Sequence, residues 1–92
     1  MIKSFKHKGL ETLFKTGNTK GVKQDQVKRL RSILAKLNSA TDIEDMRYPG
    51  SNLHPLKGDF QDHHAVTVSG NWRVIFKFEN GDAEVVDYLD YH

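Results

Sequence analysis

His54, Lys57, Arg73, Asp90, Tyr91 and His92 are, by type, the side chains suited to breaking a phosphodiester bond in RNA. In that reaction a 2′-hydroxyl loses a proton as it attacks the neighbouring phosphate. The transition state gathers negative charge, and the departing 5′-oxygen takes up a proton. Histidine titrates close to neutrality, so His54 and His92 are candidate proton-transfer groups, either one as base or acid. Arginine can grip two phosphate oxygens at once and lysine supplies a point charge, which makes Arg73 and Lys57 candidate phosphate clamps. Tyr91 could stack on an unpaired base. Asp90 could accept a proton or orient a histidine.

Each residue also has a structural reading. His54 before Pro55 fits a surface loop. Arg73 could pair with a carboxylate on a neighbouring strand. Lys57-Gly58-Asp59 reads as a turn, and Asp90-Tyr91-His92 as a frayed tail. His63 and His64, beside Asp62, suggest a metal, but adjacent strand residues point to opposite faces and chelate poorly.

These groups can meet only if the right elements carry them. Ile2 to Phe5 alternates apolar and polar residues, as an opening strand does. Leu10, Leu13 and Phe14 follow at helical spacing, and Gly17-Asn18 ends that helix. Val27, Leu30, Leu34 and Leu37, widened by Ile33, form the stripe of a second helix ending at Asn38 and Ser39. Thr41 and Glu44 have the spacing of a capping box, which predicts a third short helix over about Asp42 to Arg47. Pro49 to Asn52 is a loop. From residue 63 the period becomes two. Val66 and Val68 precede a turn at Ser69-Gly70-Asn71. Trp72, Val74, Phe76 and Phe78 then face one way, and Arg73, Ile75 and Lys77 the other. Asn80-Gly81 marks a tight hairpin before a last strand, Ala83 to Leu89. The order predicts an α+β domain, with helices on one face of a small antiparallel sheet and Arg73 and Lys77 on a partly open face. Pairing of the three strands would bring the candidate residues to one surface.

The length fits one domain, residues 1–92. The absence of cysteine excludes disulfides and thiolate metal sites. Apolar runs are far too short to span a bilayer, and Met1 to Phe5 lacks the apolar core of a signal peptide, so a cytoplasmic protein is expected. Charge is unevenly placed. Residues 1–36 hold Lys3, Lys6, Lys8, Lys15, Lys20, Lys23, Lys28, Arg29, Arg31 and Lys36 against Glu11 and Asp25. Such a segment suits a polyanion or an acidic partner, or is a solvated lysine-rich helical face.

Taken together and in order, the residues resemble the HigB branch of the RelE family of bacterial toxins. The likeness runs from Met1-Ile2-Lys3-Ser4-Phe5-Lys6-His7-Lys8-Gly9-Leu10, through Leu53-His54-Pro55-Leu56-Lys57-Gly58-Asp59 and Asn71-Trp72-Arg73, to Asp90-Tyr91-His92. The resemblance implies a microbial ribonuclease-like fold with a curved sheet. It implies cleavage of mRNA in the ribosomal A site by 2′-hydroxyl attack, without a cofactor or metal, leaving a 2′,3′-cyclic phosphate. It implies a HigA-like helix-turn-helix antitoxin as partner, and an antitoxin complex that binds operator DNA. It makes His54, Arg73, Asp90, Tyr91 and His92 the catalytic group, with His92 the main proton-transfer residue, and places Lys57 on the substrate. The basic N-terminal third would face ribosomal RNA. The sequence departs from the pattern on the strand before Trp72, where many relatives carry a further arginine and Ala65 to Gly70 has no basic residue. Lys77 is the substitute cation on the substrate. A non-catalytic ribosome- or RNA-binding inhibitor, and a regulatory co-repressor partner, are the readings from other classes.

Overall fold

A computed structural model describes residues 1–91. Two helices, α1 (Lys8–Thr16) and α2 (Val27–Ser39), pack on one face of a four-stranded antiparallel sheet. Its strands are β1 (His54–Pro55), β2 (His63–Ser69), β3 (Trp72–Glu79) and β4 (Asp82–Asp90), in that spatial order. The α+β architecture expected from the change of period is the one found.

The helices end where their sequences say they should. His7 caps α1, its Nδ1 accepting from the Leu10 amide at 3.0 Å. Gly17 closes it in the left-handed region (φ 81°), its amide donating to the Leu13 carbonyl. In α2, Leu30, Ile33, Leu34 and Leu37 are buried, while Lys28, Arg29, Arg31 and Lys36 are exposed. The helix buries its apolar stripe against Val66, Val68, Val74 and Phe76 of the sheet. At roughly 1.5–3 kcal/mol per buried aliphatic or aromatic side chain, this layer is the main source of stability.

The expected third helix is a single 3-10 turn, Ile43–Met46, and its cap is shifted by one residue. Asp42, not Thr41, is the N-cap, and Asp45 closes the box by accepting from the Thr41 and Asp42 amides at 3.0 and 3.2 Å. Glu44 is engaged elsewhere, with Arg47 at 2.7 Å. The shorter aspartate reaches back across the tighter 3-10 turn.

The N-terminal segment differs from a regular strand. It lies parallel to the outer edge of β4, touching it as bridges at Ile2–Ala83 and Phe5–Val86. The cause is a bulge in β4. Opposite Phe76 the register slips between Ile75–Asp87 and Lys77–Glu84, and Val85 takes φ 47°. The Val85 amide then turns outward to Ser4 Oγ at 2.9 Å, and the Val86 amide to the Ser4 carbonyl at 3.1 Å. β1 was expected as loop. It pairs His54 with Ala65 and Pro55 with His64, and proline is tolerated because the strand is an edge.

The face of the sheet turned from the helices is less open than alternation suggests. Ile75 and Ala65 are fully buried there beneath Leu56, Phe60 and Leu89. Two apolar residues side by side on adjacent strands need cover. Leu56 and the 3-10 turn Gly58–Phe60 fold back to supply it.

Candidate active face

The open face is organised in rows across the strands. One row runs Thr67, Arg73, Leu89; the next runs His54, Ala65, Ile75, Asp87; the third runs His63, Lys77, Glu84. The small apolar patch fills the middle, and polar groups surround it.

Arg73 lies between Thr67 and Leu89, so no carboxylate stands directly opposite it. Its Nη1 donates to the carbonyls of Gly70 at 2.7 Å and Trp72 at 3.0 Å. Among the described residues the ion pairs are Met1–Asp82, Lys15–Glu11 and Arg47–Glu44, none involving Arg73. The guanidinium is thus tethered at the β2–β3 turn by one nitrogen, and its remaining donors are available to an anion.

His54 sits on β1 with Nδ1 2.7 Å from the Asn52 carbonyl. A carbonyl only accepts, so Nδ1 carries the hydrogen and Nε2 is left as the proton acceptor. Asn52 is held in turn by its own positive φ of 49° and by its side-chain amide, which donates to Thr67 Oγ1 at 3.2 Å. His54 and Arg73 share a face but lie two strands and one row apart, about 12 Å between Cα atoms. They flank a substrate-sized gap and do not touch.

Tyr91 follows β4 and is 36% exposed. Its amide donates to the Asn71 carbonyl at 2.8 Å, fixing it beside the β2–β3 turn. Its ring meets Phe60 edge-on at 6.3 Å, and Phe60 meets His63 edge-on at 5.6 Å. Phe60 therefore spans the face between Tyr91 and His63. Asp90 pairs with Trp72, on the strand position whose alternation faces the helices, so it stands at the sheet's end on the other side from Tyr91. Lys57, exposed, precedes the Gly58–Phe60 turn. Lys77 is exposed beside His63 and Glu84, about 13 Å along β3 from Arg73. His92 lies outside the described residues.

The two adjacent histidines divide as expected. His63 pairs with Lys77 and His64 with Phe76, on opposite faces. Burial, and then the nearby His54 and Arg47, hold the His64 pKa below the ordinary histidine value. Its Nδ1 has no hydrogen-bond partner among the described residues.

Phe60, Asn52 and Thr67 shape this face but carry no mark in the sequence read by residue type. The one available signal was Phe60 itself, a large apolar residue stranded in a polar stretch.

A small α+β domain with a half-covered sheet and a rim of cations and histidines is the form of a RelE-like toxin. Residues 3–92 match the HigB-like toxin family, described as the RelE-like toxin of type II toxin-antitoxin system HigB, and the chain belongs to it. It is similar to the Endoribonuclease HigB of Proteus vulgaris, with 48% identity over 92 residues covering all of both chains. Membership in a type II system implies an antitoxin partner. Among the described residues no helix is long and apolar enough to cross a membrane.

Proposed function

We propose that this HigB-like toxin is a single-domain endoribonuclease, acting in the cytoplasm, that cuts mRNA in the ribosomal A site and so stops translation. The observation that carries the reading is Arg73, tethered through one nitrogen with its other donors unengaged, across a gap from a histidine whose tautomer leaves Nε2 as acceptor. The 2′-hydroxyl attacks the adjacent phosphate, leaving a 2′,3′-cyclic phosphate and a free 5′-hydroxyl. Arg73 neutralises the charge gathered on the phosphate oxygens. Tyr91 stacks on a base beside it. Lys57 holds the strand on the β1 side, and Lys77, at the far end of β3, attracts the backbone rather than the scissile phosphate. His54 and His92 exchange the protons, and Asp90 orients that chemistry from the end of β4.

The face is shallow, and no single groove encloses a substrate. Positioning for in-line attack must come from outside the chain, and the decoding site that displays the mRNA would supply it. The exposed cations of α2 would contact ribosomal RNA. A HigA-like helix-turn-helix antitoxin would hold the toxin inactive and carry it to operator DNA.

The test is induced expression of the untagged chain, with mapping of new mRNA 3′ ends, beside Arg73→Ala and His92→Ala. We expect growth arrest with cuts in translated frames, and at least about 100-fold less cleavage in Arg73→Ala. Arrest with intact mRNA in all three proteins would instead mean a translation blocker without catalysis.

A further inference from the structure

On the helix-covered side of the sheet's end lies a cleft of about 320 Å³ that the active face does not use. Its floor is Trp72, the single tryptophan, tilted 34° against Tyr88 with ring centroids 4.7 Å apart. Tyr88 is fixed from behind. Its hydroxyl donates to Gln26 Oε1, and Gln26 Nε2 donates to Ser69 Oγ at 2.8 Å, with Gln26 and Tyr88 only 3% and 4% exposed. The wall is His7, edge-on to Tyr88 at 5.3 Å. Because His7 Nδ1 accepts the α1 cap bond, Nε2 is its donor.

The rim is the loop carrying Lys20 and Lys23, both exposed. Lys23 Nζ stands 5.9 Å from the Trp72 centroid, near the limit of a cation–π contact. Neither lysine has an ion-pair partner among the described residues. The loop is pressed against α1 where Gly9 meets Gly21. A Cβ on Gly9 would come within 2.3 Å of the Gly21 carbonyl oxygen, and one on Gly21 within 2.5 Å of the Gly9 Cα. The N-terminal run His7-Lys8-Gly9, remote in sequence from every proposed catalytic residue, thus goes into building this cleft.

A half-exposed indole face under two unneutralised ammonium groups, on a rigid base, matches an unpaired nucleotide: stacking for the base and cations for the phosphate. Trp72 and Arg73 are consecutive on β3 and point to opposite faces, so a strand lying on Arg73 that rounds the Gly70–Asn71 turn arrives at Trp72. We propose that this cleft is a subsite for one unpaired ribonucleotide of the mRNA, adjoining the nucleotides held at Arg73, its base on Trp72 and its phosphate on Lys20 and Lys23. The inference rests on the endoribonuclease reading for its choice of RNA. Every base has a stackable face, so the subsite adds grip and not base choice.

Trp72 reports on itself. Hexa-adenylate RNA titrated at low salt into the Arg73→Ala chain should quench its fluorescence saturably. Lys20→Ala with Lys23→Ala should weaken that binding about tenfold and reduce its salt slope by about 1.4. Tyr91→Ala should leave the quenching in place. No saturable change up to millimolar RNA, equal quenching by duplex RNA or by an acidic peptide, or an unaltered titration in the lysine variant would overturn the proposal. On ribosomes, the lysine variant should still co-sediment but cut less mRNA; loss of co-sedimentation would assign the cleft to ribosomal RNA instead. Unchanged cuts from Arg73→Ala would sink the catalytic reading alone, since the quenching needs no cleavage.

Discussion

The two faces of the sheet are built by opposite rules. On the covered face, Val66, Val68, Val74, Phe76 and Val86 are fully buried against α1 and α2, and polarity is confined to the Tyr88–Gln26–Ser69 chain at one end. On the other face, only Ala65, Ile75 and Leu56 are buried, and everything around them is titratable or cationic. Alternation with a period of two lets one strand serve both. β3 anchors the fold through Val74 and Phe76 and presents Arg73 and Lys77 from the same few residues. Stability and chemistry are therefore separable here at the level of neighbouring side chains.

Substitutions on β3 are the sharpest way to break that separation. Phe76→Ala should cost about 3–5 kcal/mol of unfolding free energy, because the cavity lies at the centre of the larger cluster. Its neighbour Lys77→Ala should stay within about 0.5 kcal/mol. Chemical denaturation of both reads the difference, and comparable losses would mean that the outer face also carries the fold. A smaller effect of opposite sign belongs to the β4 bulge. Val85 is β-branched, 36% exposed and held at φ 47°. Val85→Gly should raise stability by about 1 kcal/mol through relief of that strain, and a lower melting temperature would show that the side chain matters more than the backbone.

The smallest expected effect concerns His64, which the register assigns to the covered face but which is only half-buried. Its folded pKa is lowered by burial, then by His54 and Arg47, so the unfolded chain binds the proton more tightly. Stability from this source is full above the ordinary histidine pKa of about 6.5 and declines as pH falls through it, levelling off below the lowered folded value. His64→Gln should flatten unfolding free energy between about pH 7 and 5. An unchanged pH slope would remove His64 from the account.

Much of this was legible beforehand. The stripes of α1 and α2, the Asn80-Gly81 hairpin and the two-faced pattern of β3 follow from local spacing, and each was found in place. What was missed depends on residues meeting across the chain. The cap at Asp42 turns on which acid reaches back over a tight turn. The cover over Ile75 turns on where residues 56–60 fold. The bulge at Val85 exists because Ser4 offers an acceptor to a residue far away in sequence. For the candidate site, residue types singled out Arg73, His54 and Tyr91, and the structure sets them on one face. The tether on Arg73 and the tautomer of His54 depend on backbone carbonyls that no residue type reveals.

The pairing of the N-terminal segment with β4 also sets an order of events. Ser4 and Val85 are 81 positions apart. A growing chain can form α1, α2 and the β2–β3 hairpin from local contacts as they emerge. Its first segment has no edge to join until β4 has been made and has paired with β3. Closing so long a loop is slow relative to local steps. The same late strand leads into Tyr91, so the catalytic face and the outer edge of the sheet are completed together, after nearly all of the chain has left the ribosome that made it.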